Sequence, residues 1–209
     1  MIYIKLRKIW HYIKCSLILR REIGIVAKKR FNDFGTKSII AKPFLQLTGC
    51  NNIIIGNNTT ILSNCRLAVY GNSNKANITI GNNCYIGFGF SALSCSEAEI
   101  NIGDDVLFAS NVIVTNENHG IDPESDIPYM DQPLKAKNVS IGNGCWIGEK
   151  VCILSGVSIG EKAIIGAGSV VTKSIPGYSI AVGNPARIIK KYNFDTKRWE
   201  LYNEKNGKK

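Results

Sequence analysis

Two of the 209 residues are histidines, and an imidazole is the side chain best suited to exchange a proton near neutral pH. His11 lies among lysines and arginines near the start of the chain, whereas His119 lies in the polar stretch Asn116-Glu-Asn-His119-Gly-Ile-Asp122-Pro123. An imidazole titrating near 6.5 can serve as a general base, a role that contributes roughly 10²- to 10⁴-fold to a rate. Asp122, three residues on, can orient the ring through its second nitrogen or close an Asx turn ahead of Pro123. Asn116 is a weaker candidate for the same shell, and Asp126 and Asp131 are also near in sequence.

Other reactive groups are poorly placed for chemistry. The seven cysteines (Cys15, Cys50, Cys65, Cys84, Cys95, Cys145 and Cys152) form no CxxC pair, and the N-terminal stretch lacks a signal-peptide pattern. They read as buried, reduced thiols of a cytoplasmic protein. With one histidine outside the basic N-terminal stretch, no metal site is expected.

The elements that must position His119 are written in a repeat. From Ile141 the chain runs in sixes, each opening on a β-branched aliphatic: Ile141, Ile147, Ile153, Ile159, Ile165 and Val171. Gly follows in four of these six units, and the fifth position is mostly small. A short strand, a tight turn and another short strand make one side of a triangular coil. The aliphatic points inward, while Gly or Asn takes turn conformations closed to bulkier residues. Three sixes close one coil of about 18 residues, so Ile141 should stack on Ile159 and Ile147 on Ile165. The same register recurs earlier at Ile55, Ile61 and Leu67, at Ile80 and Ile86, and at Ile102, Phe108 and Val114. Insertions around Gly71–Asn77 and Ser94–Asn101 interrupt it, and a longer one, Thr115 to Asn138, carries His119. A loop that long in a solenoid is usually functional.

The formal charge of +10 invites a nucleic-acid reading, and its distribution argues against one. Residues 1–45 carry 11 Lys/Arg against two acids, and 187–209 carry 8 against 3. Residues 46–186 carry 7 against 11, so the repeat region is mildly acidic and the ends hold the charge. In the first stretch Leu6, Ile9, Trp10, Ile13 and Leu17 recur at helical spacing between basic residues, with no run long enough to span a membrane. The expected organisation is a basic amphipathic helical extension over 1–45, a solenoid over 46–186 with its loop at 115–138, and a C-terminal helix and tail over 187–209 that caps the open end.

Residues 50–190 resemble the hexapeptide-repeat acyltransferases, in particular the maltose/galactoside and cell-surface polysaccharide O-acetyltransferase branch. The resemblance rests on the repeat, on Asn118-His119-Gly-Ile-Asp122-Pro123, on Ile141-Gly-Asn-Gly-Cys-Trp146-Ile-Gly148, on Ile165-Gly-Ala-Gly-Ser-Val-Val-Thr172-Lys173 and on Gly183-Asn-Pro-Ala-Arg187. It implies an all-β fold, a left-handed parallel β-helix, working as a homotrimer with active sites between subunits. It implies acetyl-CoA as co-substrate and His119 as the base that deprotonates an acceptor hydroxyl. Gly148, Glu149, Gly166, Ala167 and Gly168 match positions along the pantetheine arm. Trp146 can pack on that arm, line the acceptor pocket or serve as a corner-packing aromatic. Thr172, Lys173 and Arg187 match residues at the phosphate-bearing nucleotide end, with Lys190 a weaker companion. The family's oxyanion-stabilising Asn has no counterpart in Cys84-Tyr-Ile-Gly-Phe-Gly-Phe-Ser91, which leaves a backbone N–H to donate and shifts the likeness towards the polysaccharide branch.

The expected function is therefore O-acetylation of a sugar hydroxyl in a surface polysaccharide or its precursor. The rivals are another small acceptor (an amino sugar, an antibiotic or serine) and a non-catalytic scaffold. The basic segment 1–30 is expected either to meet the inner face of the membrane or to cover the solenoid's first coil.

Overall fold

The computed structural model describes residues 28–202, apart from 72, 73, 76 and 96. The expected N-terminal helix and its membrane contact, together with His11 and Cys15, lie outside those residues.

The repeat builds a parallel β-solenoid with three faces. The first face stacks Asp33–Phe34, Ile53–Ile55, Ile78–Ile80, Ile100–Ile102, Val139–Ile141 and Ser158–Ile159. The second stacks Ile39–Ile40, Thr60–Ile61, Tyr85–Ile86, Leu107–Phe108, Trp146–Ile147, Ile164–Ile165 and Ser179–Gly183. The third stacks Gln46–Thr48, Arg66–Tyr70, Ser91–Cys95, Ile113–Thr115, Cys152–Ile153 and Val170–Val171. Ile141 pairs with Ile159 and Ile147 with Ile165, as the six-residue period requires.

The stacked aliphatics are the core. Ile61, Ile86, Phe108, Ile147 and Ile165 form one fully or almost fully buried column, and Leu67, Ala92, Val114, Ile153 and Val171 form another. Each large side chain so buried contributes about 1.5–3 kcal/mol. The asparagine excess has a structural cause at the first-to-second corner. There the Thr36 N–H donates to Asn57 Oδ1 (2.8 Å) and the Asn57 N–H to Asn82 Oδ1 (2.8 Å). The ladder continues from the Asn82 N–H to Asp104 Oδ1 (2.6 Å) and from the Asp104 N–H to Asn143 Oδ1 (2.9 Å). Short side-chain carbonyls thus satisfy turn donors that the coil's own strands leave over.

Both ends differ from the sequence expectation. The first coil begins at Asp33 rather than near residue 46, because Ile39, Ile40 and Ala41 are buried and register with the next coil. Among the described residues the C-terminal segment forms no helix. Ala186–Asn193 and Arg198–Leu201 are antiparallel strands added to the second face beyond Ser179–Gly183. Ile188, Lys190 and Tyr192 are half-buried on one side while Arg187, Ile189 and Lys191 face out, a period of two and not of 3.6. The open edge of the last coil supplies hydrogen-bond partners that outweigh the helical preference of Lys and Arg.

Candidate functional site

The three insertions leave the solenoid at one place, the corner between the third and first faces. Their bases are pinned by buried amides. Asn116 is fully buried: its Oδ1 accepts from the Cys95 N–H (3.1 Å) and its Nδ2 donates to Ser94 Oγ (2.7 Å). Its backbone carbonyl accepts from Ser155 Oγ (2.7 Å) and from the Lys137 N–H (2.9 Å), closing the base of the long loop. Glu117–Asn118 then pairs antiparallel with Lys135–Ala136. Above this hairpin Gln132, buried at 6% exposure, holds the loop together. Its Oε1 accepts from the Asp122 N–H (3.0 Å), and its Nε2 donates to the carbonyls of Asp122 and Ile127 (both 3.0 Å). Gly120 lies against it: a Cβ there would sit 2.6 Å from Gln132 Oε1 and 2.7 Å from its Cβ. His119 is carried between these fixed points and is exposed to solvent. A braced loop with an accessible imidazole can present a base to a bound alcohol.

The other expected catalytic residues do different work. Asn116 is no part of a reactive shell, since its amide is spent inside the wall of the solenoid. Asp122 caps a turn: its Oδ1 accepts from the Glu124 N–H (3.0 Å), and it makes no bond to His119. Asp126 and Asp131 are exposed on the outer part of the loop. The acid whose charge acts on His119 is Glu117, which no local sequence pattern marks. Burial pushes its carboxyl up from the ordinary range, and the charges of His119 and Arg66 pull it back.

The residues expected along the acetyl-CoA arm stack at the opposite edge of the third face, the second-to-third corner. Gly148-Glu149-Lys150 turns this corner in one coil, Gly166-Ala167-Gly168 in the next, and Gly183 to Arg187 in the last. The Gly168 N–H donates to the Glu149 carbonyl (2.7 Å), and the Gly183 N–H to Ser169 Oγ (3.0 Å). Glu149, Ala167, Gly168 and Arg187 are exposed there. Gly148 is buried, and a Cβ on it would meet the Ala167 nitrogen at 2.6 Å, so the stacking of coils requires glycine there.

Three further residues fall elsewhere. Thr172 and Lys173 sit at the third-to-first corner with the His119 loop, not beside Arg187. Lys190 points to the opposite side of its strand from Arg187. Trp146 lies on the outer surface of the second face, 51% exposed, in register with Leu107 and Ile164. With Ile113 exposed on the third face, apolar side chains face outward on two sides of the solenoid.

Within one chain, then, His119 and the Glu149–Arg187 corner lie on opposite edges of the same sheet. The cysteines among the described residues are free, and burial raises the thiols of Cys65 to about 12 and of Cys84 to about 11.

The chain resembles known proteins in sequence and in fold. Residues 138–173 match the family described as bacterial transferase hexapeptide (six repeats). An Escherichia coli protein named for lipopolysaccharide biosynthesis O-acetyl transfer, WbbJ, is 45% identical over 107 residues, 48% of this chain and 55% of that protein. The chain thus spans about half the length of the curated relatives it matches. A galactoside acetyltransferase solved in complex with coenzyme A is 33% identical, with a TM-score of 0.59 over 71% of this chain and 70% of that one. AntD, an N-acyltransferase from Bacillus cereus solved with dTDP and coenzyme A, superposes with a TM-score of 0.69 at 25% identity, covering 84% of this chain and 92% of that one.

Proposed function

We propose that this chain, which belongs to the hexapeptide-repeat acyltransferase family, is an O-acetyltransferase that moves an acetyl group from acetyl-CoA to a sugar hydroxyl. The observation that carries the reading is His119, exposed on a loop fixed by Gln132 and Asn116 beside a solenoid of the family's repeat. His119 takes the hydroxyl proton as the oxygen attacks the thioester carbonyl carbon. The tetrahedral intermediate then expels CoA as the carbon–sulfur bond breaks, and the imidazolium returns the proton to the sulfur. Glu149, Ala167 and Gly168 offer an accessible corner to the pantetheine arm, and Arg187 at its end offers charge to the nucleotide phosphates.

Two features support a trimer. One chain keeps its base and its CoA corner on opposite edges of a face, so a neighbouring chain must supply one to the other. The outward apolar residues Leu107, Trp146 and Ile113 suit burial between subunits. The likeness to WbbJ favours a cell-surface glycan or its precursor as acceptor. The basic segment 1–30 would hold the cytoplasmic enzyme near the inner membrane face, where that precursor is reached.

The likeness to AntD favours a second reading, acyl transfer to an amino sugar. Incubation with acetyl-CoA and a panel of galactosides, amino sugars and glycan fragments separates the two. The acetylated product is expected to be an ester, lost in mild base. An amide that survives base would decide for the second reading, and no acetylated product with any acceptor would oppose both.

A further inference from the structure

Glu117 is in an unusual state for a residue on an exposed loop. Its Oε2 is buried without a hydrogen-bond partner, the one carboxylate oxygen so placed among the described residues. A buried acceptor left without a hydrogen bond is costly, and more so when charged. Such groups persist in native structures chiefly where function retains them. The pairing of Glu117–Asn118 with Lys135–Ala136 makes this piece of the loop an extended strand. His119 follows this two-residue strand directly, and its charge acts on the Glu117 carboxyl.

Two charges reach the Glu117 carboxylate: His119 in its own loop, and Arg66 on the neighbouring third face. The Arg66 guanidinium is fixed by neutral groups, with its Nε on Gln46 Oε1 (2.8 Å) and its Nη2 on the Tyr70 hydroxyl (2.9 Å). Arg66 therefore supports a negative charge on Glu117 from a set position, with no bond to the free oxygen. Of the two cations, His119 is the one whose charge would appear during acetyl transfer.

We propose that Glu117 is the positioning residue for His119: its unpartnered carboxylate oxygen receives the ring nitrogen turned away from the acceptor as the imidazolium forms, and stabilises that charge when the hydroxyl proton is taken. Arg66, held by Gln46 and Tyr70, keeps Glu117 ionised for that role. The assignment deepens the acetyltransferase reading and rests on it, but its first test needs neither acetyl-CoA nor acceptor.

The test is an NMR titration of the histidine ring protons in the full chain, where only His11 and His119 contribute and His119→Ala assigns them. In Glu117→Gln the His119 midpoint is expected to fall by roughly 0.5–1 pH unit, and in Glu117→Asp to stay near the parent value. An unchanged or raised midpoint in Glu117→Gln overturns the proposal.

Thermal unfolding supplies an independent check with a definite sign. The Glu117 carboxyl is raised in the folded state, so the folded chain loses stability as pH rises through that value. Glu117→Gln should therefore unfold at a higher temperature than the parent at neutral pH, with the advantage vanishing below about pH 4, where the unfolded carboxyl is itself protonated. A lower unfolding temperature would mark Glu117 as structural and overturn the proposal. With a working acceptor, kcat should fall at least about tenfold and the acid limb of kcat/KM should move to lower pH, with the acceptor KM unchanged. A raised acceptor KM with kcat intact would make Glu117 a substrate contact instead. Loss of all turnover in the parent chain would refute the acetyltransferase reading and leave the titration standing as a test of the dyad.

Discussion

Gln132→Ala is the most informative single change in the loop. The substitution removes three hydrogen bonds, one from the Asp122 N–H and two to the carbonyls of Asp122 and Ile127. At a net contribution of about 1 kcal/mol each, the local loss approaches 3 kcal/mol. Water recovers part of it, because Asp122 and Ile127 are exposed, so about 1.5–3 kcal/mol is expected. That corresponds to a roughly 10- to 150-fold larger open population of the loop. None of these groups belongs to the aliphatic stacks, so the unfolding temperature of the solenoid should move by no more than about 2 °C. Hydrogen exchange over residues 120–128 is the direct assay, and the Asp122 amide should lose the most protection. Turnover should fall with it, since a base displaced by about 1 Å can cost 10²-fold. Unchanged exchange over 120–128, or a large drop in unfolding temperature with the loop still protected, would show that Gln132 does not brace the loop independently of the solenoid.

Other consequences follow from the same geometry. Ile147→Ala opens a cavity between Phe108 and Ile165 and should cost about 2–5 kcal/mol in denaturant unfolding. Cys65 and Cys84, with thiols raised to about 12 and 11, should resist alkylation near pH 8 in the folded chain and label fully in denaturant. Light scattering should report a trimer for the parent chain and a smaller species for Trp146→Glu, which puts a charge on the exposed apolar surface of the second face.

The solenoid was legible because its cause is local and repeated. An aliphatic every six residues has to stack on its equivalent a coil later, and the pairing of Ile141 with Ile159 follows from counting alone. The ends were less legible. Arg187–Asn193 is rich in residues that also suit a helix, and only the exposed edge of Ser179–Gly183 decides for a strand. The Asn193-Phe-Asp195-Thr-Lys197 turn was the overlooked signal: Asn193 Oδ1 accepts from the Asp195 N–H (2.9 Å) and closes the hairpin.

In the site, His119 was identified from its motif, but its supports were not. Gln132 lies thirteen residues from His119 and reaches back across the loop, a contact that no local pattern encodes. Glu117 was passed over because its relation to His119 depends on a two-residue strand that exists only through pairing with Lys135–Ala136. Asp122 looked right by spacing, yet a turn before proline claimed its carboxylate first. Gly148 fitted a ligand-binding motif and proved to be required by the next coil's backbone.

The rate of CoA release with an acceptor sugar tests His119 as the base for acetyl transfer. The parent chain and His119→Ala should bind acetyl-CoA alike, because the groups offered to the CoA arm and phosphates are Glu149, Ala167, Gly168 and Arg187 and not the imidazole. The parent's kcat with the best acceptor of the panel should exceed that of His119→Ala by about 10²- to 10⁴-fold. Equal acceptor-dependent CoA release by both would exclude His119 as the base.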